Sequence, residues 1–204
     1  MTRLRARLLS LFAASLAAAL LPGCASAPPT VFLALPTGEG AASVAAPASA
    51  AVAEPARVLI VRRVGVPEYL DVSAVRYRTE ASLLAEWPNT AWAERPAVAL
   101  TRELVARLRV ALPGWTVCDG TCPGGQGGWV VQAEWAPLDY LRAQHTLNAA
   151  LRYTVAAPLG AVSRGVGGAQ QWSLPVSPDS PAGQASALAA VVDAAAQAIA
   201  ASVR

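Results

Sequence analysis

The side chains with the most chemical capacity are few: one histidine, His145, and three cysteines, Cys24, Cys118 and Cys122. A hydrolase of the usual kind needs a nucleophile, a base and a group that orients the base. His145 is the only imidazole, and it stands at the start of an expected strand with the parity of Leu147 and Leu151, where it reads as an edge residue. The chain has no Gly-x-Ser-x-Gly elbow and no His-Glu-x-x-His pair. Gly165 to Gly168 lacks the Lys-Ser/Thr ending of a phosphate loop and reads as a turn. Carboxylate chemistry stays open, because spacing alone does not say which acids meet. In Cys118-Asp-Gly-Thr-Cys122 the two thiols bracket a short Gly-containing turn, and a disulfide is the first expectation there, with free thiols or a metal as alternatives. A metal would need further ligands. A thioredoxin-like centre would want a Cys-x-x-Cys pair, one residue shorter. No metal and no catalytic residue is therefore assigned, and no cofactor is expected beyond a covalent lipid.

That lipid concerns Cys24. Arg3, Arg5 and Arg7 precede the uncharged stretch Leu8 to Leu21, the layout of a secretory signal. The stretch is shorter than the ~20 residues that span a bilayer. Leu21-Pro22-Gly23-Cys24 resembles the lipobox of bacterial lipoproteins, with Gly23 the small residue before the cysteine and Leu21 the aliphatic residue three before it. Cleavage after Ala27 by the ordinary signal peptidase would leave Pro28 at the new terminus, which disfavours it. Ala25 stands where an aspartate would signal retention in the inner membrane, so the resemblance implies an outer-membrane address. The expected organisation is a signal peptide over 1–23, then a lipidated N-terminus with a short strand and an Ala/Pro-rich flexible segment over 24–56. A single α+β domain fills 57–204. Buried acyl chains contribute about 0.8 kcal/mol per methylene, and two or more such signals hold a protein stably.

Removing the leader changes the charge. Of 16 basic residues, all arginine, those before Cys24 go with the leader, leaving 13 against 13 acids. The mature chain is formally neutral, and no basic run marks a nucleic-acid partner.

The elements that must position these residues follow from periodicity. Val31 to Leu35 is β-branched and apolar, whereas Pro36 to Pro55 holds few large apolar groups and reads as a flexible linker. Arg57 to Val64 is a strand candidate with a buried middle. Val75 and Tyr77 alternate with Arg76 and Arg78, the mark of a half-buried strand. Ser82 to Trp87 is a short strand closed by a Pro88-Asn89 turn. From Pro96 to Leu112 the period becomes helical: Ala97, Leu100, Leu104, Leu108 and Ala111 form one face, Glu103 stands four before Arg107, and Pro113-Gly114 stops the helix. Trp115 to Cys118 and Trp129 to Trp135 read as strands joined by the cysteine-containing turn. Leu147 to Tyr153 and Gln170 to Val176 are further strands. Ser180-Pro181 opens a terminal helix whose face is Leu188, Val192, Ala195, Ile199 and Val203. The economical fold is α+β, a largely antiparallel sheet with two amphipathic helices packed on one face.

Pro67-Glu68-Tyr69-Leu70-Asp71, followed by Trp92-Ala93-Glu94 and then an amphipathic helix, resembles the ABC-type transport auxiliary lipoproteins, the PqiC-like family. Arg95 intervenes before Pro96, where the family's motif runs straight into proline. The Ala/Pro segment and the cysteine turn are not part of the family pattern. The resemblance implies an outer-membrane lipoprotein that docks a periplasmic MCE-domain protein of an ABC-type transporter moving phospholipid or other lipid between membranes. It implies no chemistry. A homo-oligomer is compatible with it, and a structural envelope-assembly or cell-wall-associated lipoprotein is the alternative. By their local physics, Pro67 ends a strand, Tyr69 and Leu70 cover a sheet edge, Trp92 packs beneath the first helix and Glu94 suits its N-terminus.

Overall fold

Strands whose side chains alternate between buried and exposed, and two helices with apolar faces, account for most of the described residues. The computed structural model describes residues 28–37, 57–120, 122, 127–158 and 165–204. The leader over 1–23, Cys24 and most of the Ala/Pro-rich linker lie outside the described residues. Among those described, eight strands form one sheet: β1 Val31–Leu33, β2 Arg57–Val61, β3 Ala74–Arg78, β4 Leu84–Trp92, β5 Trp115–Asp119, β6 Trp129–Leu141, β7 Thr146–Ala156 and β8 Val166–Pro175. Helix α1 is Pro96–Ala111 and helix α2 is Pro181–Val203.

β6 is the spine. Along one side it pairs antiparallel with β7, which pairs antiparallel with β8. Its other side takes parallel β2 at its start, through Leu59↔Trp129, and parallel β3 at its end, through Arg78↔Leu141. β5 lies beyond β2, and β4 then β1 lie beyond β3. The sheet is mixed, with the long ladders antiparallel, and the fold is α+β.

The strands joined by the cysteine turn, β5 and β6, have β2 between them, parallel to both. β2 buries Leu59 and Val61 completely on one face and half-buries Val58 and Ile60 on the other, as suits a strand flanked on both sides. Pro88-Asn89 does not close β4. It sits in a bulge between the pairs Ala74↔Ala91 and Arg76↔Glu86, with Asn89 at φ 51, and the strand resumes to Trp92. Pro137 is likewise absorbed by a bulge between Trp135↔Leu151 and Leu138↔Ala149, so β6 runs on to Leu141. Lastly, Gly167 and Gly168 belong to β8 rather than to a turn. A Cβ on Gly168 would stand 2.7 Å from the Tyr153 ring, so glycine there makes room for a cross-strand aromatic.

The helices carry the expected faces. Leu100, Leu104 and Leu108 of α1 and Leu188, Val192, Ala195 and Ile199 of α2 are buried in one core with Val61, Val131, Trp135 and Leu151 of the sheet. Arg107 ties the helices together, 3.8 Å from Glu103 within α1 and 3.6 Å from Asp193 on α2. Ser180 caps α2 by accepting the Gly183 N–H at 3.1 Å. By length and composition α2 could cross a membrane, but half of its most apolar window is buried in this core.

Candidate functional site

The two motifs expected to mark the family meet at the start of α1. Arg95 occupies its N-cap position and gives no side-chain cap, and Pro96 follows, so the first free N–H groups need an outside acceptor. Asp71 supplies it: Oδ1 accepts the Ala97 N–H at 3.1 Å. The turn that brings Asp71 there is closed by Leu70 N–H donating to the Pro67 carbonyl at 2.8 Å. Arg63 and Arg95 stand 3.5 and 3.6 Å from the other carboxylate oxygen. Glu94 does not take the helix end. Its carboxylate pairs with Arg102, nearly two turns into α1 and itself 3.2 Å from the buried Glu103. Ala93 is exposed and its N–H donates to Leu33 in β1 at 2.8 Å.

Tyr69 is the centre of a second cluster. Its hydroxyl donates to Asp139 at 3.0 Å, receives Arg78 at 3.1 Å, and its ring lies under the same guanidinium at 5.2 Å. Arg78 also meets Asp139 at 3.0 Å. Asp139, 7% exposed, is thus a buried carboxylate with a cation and a hydroxyl as partners, as its burial requires. Burial first, with the nearby Asp139 charge, raises the Tyr69 phenol above its ordinary value, and Asp139 and Tyr69 hold the Arg78 proton more tightly. Glu68 is exposed and Pro67 half-buried.

Trp92 packs where expected, at the foot of α1. With Leu35, Leu70, Pro96, Leu100 and Leu188 it lines a cavity of about 30 Å³, room for little more than water. A third cluster had no signal in the sequence. Arg142 lies over the rings of Trp87 and Tyr77 at 4.2 and 4.9 Å and bonds Asp179 at 3.0 Å, which accepts the Tyr140 hydroxyl at 2.7 Å. Burial, then Asp179, pushes the Tyr140 phenol up to about 12. The bond from Tyr140, followed by Arg142, lowers Asp179. Gln184 bridges the cluster to the strands, accepting the Trp87 indole N–H and donating to the Arg76 carbonyl, both at 2.8 Å.

Cys118 and Cys122 form a disulfide, Cα to Cα 5.4 Å. His145 is exposed, left-handed at φ 48, and its backbone is taken up by Arg142 and Val176. Among the described residues no group of three or more His, Cys, Asp or Glu side chains is gathered to hold a metal. Asp71, Tyr69, Trp92 and Glu94 are spent on capping, packing and ion pairs, while Glu68 and Ala93 are exposed, an arrangement suited to presenting a rigid surface.

Residues 41–200 match the model of the family described as ABC-type transport auxiliary lipoprotein component. The chain belongs to that family. Among solved structures, this transport auxiliary lipoprotein is similar to one titled only as an uncharacterized protein, at 20% identity and TM-score 0.69, covering 87% of this chain and all of the other. It is also similar to protein XCC0632 from Xanthomonas campestris, at 13% identity and TM-score 0.56, covering 72% and 87%. At those identities the likeness concerns the fold. No curated protein matches. The family is one of auxiliary transport components and not a known enzyme family. Within this auxiliary lipoprotein the sequence motifs single out Asp71 and Tyr69, yet they give no hint of Asp139, which meets Tyr69 from 70 residues away, or of Gln184, which meets the Arg76 carbonyl from 108 residues away.

Proposed function

We propose that this auxiliary lipoprotein is the outer-membrane terminus of an ABC/MCE-type envelope lipid transport system, where it docks a periplasmic MCE-domain protein and performs no chemistry. Three acyl chains on Cys24 hold it to the outer membrane, with the domain facing the periplasm and the lipid as its only covalent addition. The observation that carries this reading is the family match over residues 41–200, on a chain whose motif residues Asp71 and Tyr69 are consumed by structure.

The test is purification of the tagged full-length chain from detergent-solubilised envelopes, with its bound proteins identified by mass spectrometry. An MCE-domain protein is expected, and deletion of the gene is expected to disturb phospholipid distribution between the membranes. Recovery of peptidoglycan or an outer-membrane assembly protein in its place would overturn the reading in favour of a structural envelope lipoprotein.

A further inference from the structure

The exposed apolar side chains are not spread evenly. Among the described residues, Val98 and Val110 of α1 and Val166 of β8 stand singly, as surface apolar residues commonly do. Val31 and Phe32 on β1, with Leu83 and Leu84 where β4 begins, share one edge of the sheet. Phe32 is 69% exposed and Leu83 52%. Val75 and Tyr77 take the core face of β3, so Arg78 and its partner Leu84 lie on the face away from the helices. Phe32, opposite Ala91, alternates with Leu33, which packs on the core, and therefore lies on that same open face. The turn that presents Leu83 is closed by the Thr79 N–H, which donates to the Leu83 carbonyl at 3.1 Å.

This is also the edge at which the chain arrives from Cys24. β1 is parallel to β4, with Val31 beside Thr90, so the polypeptide enters β1 from the side on which β4 begins. Seven steps of chain join Cys24 to Val31, a reach of at most about 25 Å. Thr90 back to Leu83 is the same number of residues, roughly 23 Å of strand. A lipid on Cys24 can thus hold β1 and the β4 turn against a bilayer together. The opposite edge, β8, is separated from β1 by β4, β3, β6 and β7, roughly 24 Å of sheet. To bring β8 to the membrane, the same tether would have to be drawn out straight across the whole sheet.

We infer that the β1–β4 edge lies on the phospholipid surface that carries the anchor, with Phe32 dipping into it at one end and Leu83 and Leu84 at the other. The inference rests on the lipid anchor at Cys24 proposed above. Side chains held at a surface by a short tether need little affinity of their own, because the tether keeps their local concentration high. The contact is apolar. Arg76 is paired with Glu86 at 2.9 Å and Arg78 with Asp139 at 3.0 Å, and Glu80 is exposed on the turn, so these residues offer no surplus of positive charge to anionic headgroups. A partner protein could cover the same side chains, but the tether places the membrane at this edge.

The test uses the full-length lipidated chain, purified in detergent and reconstituted into vesicles of phosphatidylethanolamine and phosphatidylglycerol. With Cys24 acylated and Cys118 bonded to Cys122, the parent has no free thiol, so one introduced cysteine carries an environment-sensitive fluorophore. Labels at Phe32→Cys and Leu83→Cys are expected to shift to the blue and to lose emission to spin-labelled lipids. Labels at Val166→Cys, on the opposite edge, and at Val110→Cys, on α1, should do neither. All four positions are exposed, and Val31→Cys and Ser82→Cys replace Phe32→Cys or Leu83→Cys should either fail to fold. On vesicle-bound protein, a label at Phe32 or Leu83 as wet as that at Val110 overturns the edge contact and leaves the anchor standing. A chain that does not float with the vesicles overturns the anchor, and the orientation with it.

Discussion

Asp71 closes the first turn of a helix it does not belong to, its Oδ1 accepting the Ala97 N–H at 3.1 Å. The geometry arises because Arg95 and Pro96 leave α1 without an acceptor of its own, and the turn from Pro67 swings a carboxylate into the gap. A negative charge there also meets the positive end of the helix. Asp71→Ala should lower stability by about 1–2 kcal/mol, the usual cost of a lost cap, measured as a shift in urea midpoint at unchanged slope. Asp71→Asn should lose less, since its amide oxygen can still accept. The exposed Arg63 and Arg95 contribute little to either result. Equal loss from Ala and Asn would mean that charge, not the hydrogen bond, carries the effect.

Gln184 is 4% exposed and satisfies two groups from different strands, the Trp87 indole and the Arg76 carbonyl. Truncation leaves both without a partner beside a new cavity. Gln184→Ala should therefore cost about 2–4 kcal/mol and red-shift the Trp87 emission as water enters. A loss below about 1 kcal/mol would show that water already serves one of those groups.

These two sites divide what the sequence made legible from what it did not. The helix over Pro96 to Ala111 and the terminal helix were readable because their apolar spacing is local, and Ser180-Pro181 announces its own cap. Val75 and Tyr77 were readable by alternation. The place of β2 between β5 and β6 was not, since an apolar run reports burial without naming its neighbours. Pro88 and Pro137 were misleading for one physical reason: a proline ends a ladder locally, but a bulge can absorb it and let the strand resume. The site behaved alike. Asp71 and Trp92 lie in recognisable motifs, whereas Asp139 and Gln184 act through partners 70 and 97 residues away, a distance that no spacing rule bridges.

Tyr140 gives the chain a pH dependence in alkali. Its phenol is raised from 10.0 to about 12, by burial first and then by its bond to Asp179. A raised folded-state pKa means the native state holds the proton more tightly than the unfolded chain. The resulting stability is complete below pH 10 and is lost as pH climbs from 10 towards about 12. Urea midpoints across that window should fall for the parent chain and fall less steeply for Tyr140→Phe. Parallel curves would assign the alkaline transition to another group.

The Cys118–Cys122 disulfide closes a loop of sequence separation 4, so chain entropy gives it only about 2 kcal/mol. The double variant Cys118→Ser/Cys122→Ser should fold, lose about that much in urea, and keep its partners. Complete unfolding without the bond would show that the loop organises β2 and β5 beyond its entropic effect.

Cys24→Ala separates the two ways this chain could be held to a membrane. One is the lipid, and removing its attachment point should move the folded protein into the soluble periplasmic fraction, without incorporation of labelled palmitate. The other is α2, long and apolar enough to span a bilayer by composition. That helix, however, buries Leu188, Val192, Ala195 and Ile199 against the sheet and α1, and Tyr153 reaches its Ala198 carbonyl at 3.4 Å. Inserting it would strip the core of one wall, so a folded domain and a spanning α2 exclude each other. Fractionation and circular dichroism of the same Cys24→Ala sample therefore decide the matter together. A soluble, folded variant leaves the lipid as the anchor, and a membrane-bound one would remove Cys24 from the mechanism.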